Sequence, residues 1–218
     1  AQLIEGLEAA EADEGIKVLI ITGTENCFTA GNDLANYRAL AQAERVPAIT
    51  FLRRLHAFEK PVIAAAEGIA MGLGVSMLLH SDFAYAGNAT RFQLPFTNFA
   101  LTPLGGTTWL LPRLAGGKAA SQMLLLGQPF TARQACDIGL LTDTAPDGRA
   151  LEQAFDCAAR LLAKPVDALL ATKALMRAAD AEAIGEALDR EEQALLARCR
   201  SSEAQGAIDA FFATRHGH

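Results

Sequence analysis

Long apolar runs, basic stretches, tryptophan and paired cysteines are all scarce in this chain. No run reaches the roughly eighteen apolar residues of a membrane span, and no basic segment leads into an apolar one near the start, so neither a membrane partner nor a secretory leader is expected. Four cysteines occur among the 218 residues, Cys27, Cys136, Cys157 and Cys199, with no Cys-x-x-Cys spacing, and the four histidines do not cluster with them. Reduced thiols, no metal site and a cytoplasmic location follow as expectations. Lysine and arginine are scattered singly without interleaved aromatics, and the net charge is -6. Both features exclude nucleic acid as an expected partner. With 51% hydrophobic and 20% charged residues, and no low-complexity run, the composition is that of a globular protein with one substantial core.

What is present is organised around residues 60–85. Pro61 can open a strand, Val62 to Ala66 continue it as a short apolar run, and Gly68, Gly72 and Gly74 allow a tight turn into an apolar helix. A helix entered through Gly72-Leu73-Gly74 exposes N–H donors at its positive end, where an anion or a developing oxyanion is stabilised. Close strand–helix packing explains the same glycines without any ligand. The phosphate-loop alternatives are weaker, because no third glycine follows at dinucleotide spacing and no Gly-Lys-Ser/Thr is present.

Upstream, residues 3–11 have helical spacing and residues 17–23 form a continuous apolar run, read as a strand buried on both faces. The loop after it carries Gly31 and a candidate helix cap at Asn32 or Asp33. Two glycine-containing turns after two apolar strands suggest one shared site. Pro47 reads as a helix start after a mobile loop, and residues 82–86 and 91–93 as short strands around a Gly87-Asn88 turn. A helix with alanine, methionine and leucine inward is expected over residues 117–126. A capping box at Thr131 to Gln134 should open another helix that Gly139 ends. From residue 151 the pattern is helical, broken at Pro165, Asp180 and Ser201-Ser202. Its apolar residues Leu188, Leu195, Leu196, Ile208, Phe211 and Phe212 should pack on the core or on a neighbouring subunit.

The residues Phe28-Thr-Ala30-Gly31-Asn-Asp33-Leu34, Lys60-Pro-Val-Ile-Ala, Gly68-x-Ala70-x-Gly72-x-Gly74 and Asp82, in this order and spacing, resemble the enoyl-CoA hydratase/isomerase (crotonase) family. The resemblance covers nearly the whole chain, and Phe92-Gln-Leu-Pro-Phe-Thr-Asn98 is most similar to the Δ3,Δ2-enoyl-CoA isomerase branch. It implies an α/β fold of the ClpP/crotonase kind, a ββα superhelix over residues 1–150 followed by a helical trimerisation region over 151–218. It also implies that the family's first strands would precede Ala1, where the chain opens inside a helix. The implied activity is that of an acyl-CoA enzyme of fatty-acid metabolism, a homotrimer or dimer of trimers, needing no cofactor because coenzyme A is part of the substrate. Carried over residue by residue, the oxyanion-hole donors are the backbone N–H groups of Ala30 and Leu73. Gly31, Asn32, Asp33, Gly72 and Gly74 line the substrate site.

Chemistry on an enoyl thioester needs donors for the carbonyl oxygen and a carboxylate to move a proton. Where relatives carry acids in the acyl pocket, this chain has Ser76, Phe96 and Leu104, none of them a carboxylate. Two readings follow: an acyl-CoA enzyme with a displaced proton carrier, or an acyl-CoA-binding relative without turnover. A Ser76–His80 hydrolase is disfavoured, because side chains one helical turn apart seldom align for proton transfer. His56 reads as a helix-surface residue, Asp82 as structural, and His216 and His218 as a frayed terminus.

Overall fold

The computed structural model describes residues 2–24 and 26–215, without the side chain of Arg215. The readings of Ala1, His216 and His218 lie outside the described residues. Gln2–Ala12 forms α1 and Leu19–Thr22 forms β1. Next come α2 (Leu34–Leu40) and α3 (Pro47–Ala57). Asp33 caps α2, its Oδ1 accepting the Ala35 N–H at 2.9 Å, and Pro47 opens α3 where its missing N–H costs nothing. Then β2 (Val62–Ala66), β3 (Ile69–Met71), α4 (Leu73–His80), β4 (Phe83–Gly87) and β5 (Arg91–Gln93) follow almost without linkers. A 3-10 turn at Thr97–Phe99 leads to α5 (Thr107–Ala115), α6 (Gly117–Leu124), β6 (Phe130–Thr131), α7 (Ala132–Asp137) and β7 (Asp143–Ala145). The remainder is α8 (Ala150–Leu162), α9 (Val166–Ala178), α10 (Ala181–Cys199) and α11 (Ser202–Arg215), with the breaks where Pro165, Asp180 and Ser201 put them.

The strands divide between two sheets. One is parallel in the order β1-β2-β4-β7; the other is β3-β5-β6, parallel between β3 and β5 and antiparallel between β5 and β6. Each of the pairs β2/β3 and β4/β5 sends its first strand to one sheet and its second to the other, and a helix follows. That repeat is the expected ββα superhelix. It corrects one local expectation, because the glycine turn after β2 contains a strand, β3. The two short strands around the Gly87-Asn88 turn are present and belong to different sheets.

Burial follows position in the sheets. Central β2 is buried throughout, whereas β1 at the sheet edge is only half-buried, so the reading of it as covered on both faces fails. The main core lies between the sheets and α3, α4, α5 and α10, while α8 covers Ile63, Ala65 and Tyr85 with Ala150, Ala154 and Cys157. The helical region therefore shares its cores with residues 1–150. Leu188, Leu195, Leu196 and Ile208 are buried within this chain, and Phe211 and Phe212 are partly so. Exposed large apolar residues include Phe155, Leu162, Leu175 and Met176 on α8 and α9, and Leu125 and Leu126 just past the end of α6 at Leu124, besides Leu3, Ile69 and Leu114.

Two adjacent acids of α10 complete helices that lack caps of their own. Glu191 accepts the Gly106 and Thr108 N–H groups at 2.6 and 2.8 Å at the start of α5, and Glu192 accepts the Val46 N–H at 2.7 Å at the start of α3. Both are buried, and desolvation pushes Glu191 above the usual carboxylate range while those hydrogen bonds oppose it.

Candidate active site

The two glycine turns meet. Thr29 pairs with Ala70 as a parallel bridge, the Thr29 N–H reaching Ile69 O at 3.1 Å and the Met71 N–H reaching Thr29 O at 2.9 Å. Gly31 has φ 87°, and a Cβ there would stand 3.1 Å from Met71 O and 3.9 Å from Leu73 N, so the loop passes tightly against the entrance of α4. Gly72, the N-cap of α4, has φ 51°, a conformation that a side chain would strain. No acceptor among the described residues takes the Ala30 or Leu73 N–H.

Beside these turns is a cavity of about 530 Å³, within the range of small-molecule sites. Ala30, Gly31, Asn32, Asp33 and Gly72 line it; Leu73 and Gly74 do not. Of Ser76, Phe96 and Leu104, only Phe96 is in the wall, its Cζ 3.4 Å from where a Gly72 Cβ would be. Ser76 and Leu104 are fully buried and are not among the residues that line the cavity. Ser76 Oγ donates to Leu104 O at 2.9 Å and is close to Gly72 O at 3.3 Å, fastening the 101–106 loop to α4.

Sequence reading missed most of the inner wall. Tyr37 reads as lying on the same loop as Asp33; Phe99, Leu101, Phe211 and Phe212 do not read as site residues and complete the wall, the last two from α11 at the far end of the chain. An Arg38–Asp209 ion pair ties α11 to α2, and the Arg38 guanidinium lies 5.1 Å from the Phe212 ring centre. Burial pushes the Tyr37 hydroxyl up to about 12, against a weak hydrogen bond from Asn32, so it stays protonated and cannot serve as a base near neutral pH. Among the described residues Asp33 is the one carboxylate in the wall, exposed, with Oδ1 committed to the α2 cap.

A Ser–His pair is absent. His80 turns away from Ser76 and places Nε2 2.8 Å from Gly105 O, with Nδ1 3.2 Å from His56 Nδ1. Burial, then the neighbouring His56, lowers His80 to about 3; burial and Arg177 lower His56 to about 4. Both rings are neutral at physiological pH and too weakly basic to activate a hydroxyl. His56 is thus a half-buried link between α4 and Arg177 of α9, not the surface residue expected.

Among the described residues no cluster of three or more His, Cys, Asp or Glu is placed to hold a metal ion, and no helix is long and apolar enough to cross a membrane.

The family profile described as enoyl-CoA hydratase/isomerase matches residues 1–218. The chain is 35% identical to the 2,3-dehydroadipyl-CoA hydratase of Escherichia coli, covering 98% of this chain and 85% of that protein. It is 32% identical to the 1,2-epoxyphenylacetyl-CoA isomerase of the same organism, covering 99% of this chain and 85% of that protein. Among solved structures, Pseudomonas aeruginosa OdaA superposes with a TM-score of 0.93 at 38% identity, covering 96% of this chain and 86% of that one.

Proposed function

The chain belongs to the enoyl-CoA hydratase/isomerase family, and we propose that it binds an acyl-CoA thioester and stabilises its enolate between the backbone N–H groups of Ala30 and Leu73. The observation that carries this reading is the contact of the two glycine turns at one cavity, with neither N–H given to a protein acceptor. Gly72 lines the cavity and the Leu73 N–H belongs to the next peptide unit. Donors fixed in place before an oxyanion forms need no reorganisation as its charge develops, which is why such pairs lower barriers.

Isomerisation fits the wall better than hydration. Beside Gly72 the wall is the phenyl ring of Phe96, which can neither hold nor activate a water. A second reading, acyl-CoA binding without turnover, is favoured by the absence of a carboxylate at Ser76, Phe96 and Leu104. The two separate in one experiment. Purified protein is incubated in D2O with 2-enoyl-, 3-enoyl- and saturated acyl-CoA, and products and deuterium at C2 are read by mass spectrometry. An enolate-forming enzyme shifts the double bond of the 3-enoyl thioester or exchanges the C2 hydrogen. Tight binding with neither change selects the binding protein.

The protomer is further read as part of a homotrimer or a dimer of trimers. The support is the exposed apolar set on α8, α9 and after α6, in place of the C-terminal residues first considered. A monomeric mass in solution at micromolar concentration contradicts it.

A further inference from the structure

The cavity differs from its surroundings in the chemistry of its inner wall. The chain has 11 phenylalanines, two tyrosines and one tryptophan, and Tyr37, Phe96, Phe99, Phe211 and Phe212 converge on this single space. Phe99 and Phe211 meet edge to face, their centres 5.4 Å apart at 86°, and Phe211 meets Phe212 likewise at 5.7 Å and 80°. Among the described residues no lysine, arginine or histidine lines the space, and the charged residue that does is the anionic Asp33.

We infer that the acyl group accommodated here is uncharged and carries a ring. The inference rests on the acyl-CoA reading above. A ring entering this wall finds both faces and edges to pack against, the offset and T-shaped arrangements that aromatic groups prefer, whereas a straight alkyl chain gains contact area alone. An acyl group ending in a carboxylate loses its hydration without gaining a cationic partner, and it meets ring faces of negative potential as well as Asp33. An acyl group ending in a cation is disfavoured from behind the wall, because the Arg38 guanidinium already lies over the Phe212 ring. Arg38 is itself paired with Asp209, so it offers little to a carboxylate in the cavity. The 530 Å³ of space accommodates a phenyl ring with several methylenes between it and the thioester.

The test is calorimetric titration of the full chain with four stable thioesters and with free coenzyme A. The thioesters are 4-phenylbutanoyl-CoA, hexanoyl-CoA, adipoyl-CoA and 4-trimethylammoniobutanoyl-CoA. The expected order places the phenyl compound about tenfold tighter than hexanoyl-CoA. The carboxylate compound should bind about a hundredfold more weakly than the phenyl compound. Phe99→Ala should weaken the phenyl compound more than hexanoyl-CoA, narrowing the difference between the two from about tenfold toward parity. Equal binding of all four, or tighter binding of either charged thioester, overturns the inference and leaves the acyl-CoA reading standing. Failure of every thioester and of coenzyme A to bind overturns both.

Discussion

Replacing Asp82 by alanine is expected to remove about 3–5 kcal/mol of folding stability, the cost of leaving a buried charge without its partner. Asp82 Oδ2 accepts the Val62 N–H at 2.8 Å and Lys173 Nζ at 2.7 Å, and Oδ1 accepts Arg177 at 2.9 Å. The Lys173 side chain is only 8% exposed. Desolvation lowers its pKa while the Asp82 charge opposes that shift, so without Asp82 the ammonium is left buried and unpaired. Lys173→Met is expected to cost less, because Asp82 keeps Arg177 and the Val62 N–H. Denaturant unfolding of the two variants reads the asymmetry. A loss below about 1 kcal/mol for Asp82→Ala would mean that the cluster behaves as a solvated surface pair. The cluster bears on the site through position: it joins α9 to the start of β2 and to the α4–β4 junction, the far ends of the two elements whose near ends frame the glycine turn.

The features legible in the sequence were those set by neighbours along the chain. Asp33 caps α2, Pro47 starts α3, Thr131 and Gln134 form the capping box, and Pro165 ends the break before α9, because each acts on backbone groups within a few residues. The family resemblance carried the superhelix, which no local pattern specifies. Three-residue strands such as β3 and β7 escaped because their ladders are completed by partners far along the chain, Arg91 to Gln93 for β3 and Tyr85 to Gly87 for β7. Glu191 and Glu192 looked like ordinary acids of a solvated helix face; only the fold brings the starts of α5 and α3 to them. The same limit hid the cavity's inner wall. Phe211 and Phe212 read as generic apolar residues of a terminal helix, and what makes them part of the site is the packing of α11 on α2 and on the Thr97–Phe99 turn, contacts between distant parts of the chain.

Leu73→Pro is expected to lower turnover or C2 exchange by about 10²–10³-fold, the usual consequence of deleting one oxyanion donor. The substitution removes a backbone N–H, which no ordinary side-chain change can do, at a position where the fold tolerates it. Leu73 is the first residue of α4, so its N–H has no place in the helical ladder, and proline is favoured at such a position. The preceding Gly72, at φ 51° and ψ -107°, has no Cβ to crowd the proline ring. Leu73 is only partly buried, and the packing lost with its side chain is measured separately by Leu73→Ala, which keeps the N–H. The alanine variant should stay within about tenfold of the parent, while the proline variant falls well below it and still binds acyl-CoA. Equal activity in the two variants, both folded, would assign the carbonyl oxygen to other donors and leave the Ala30–Leu73 pair without a catalytic role.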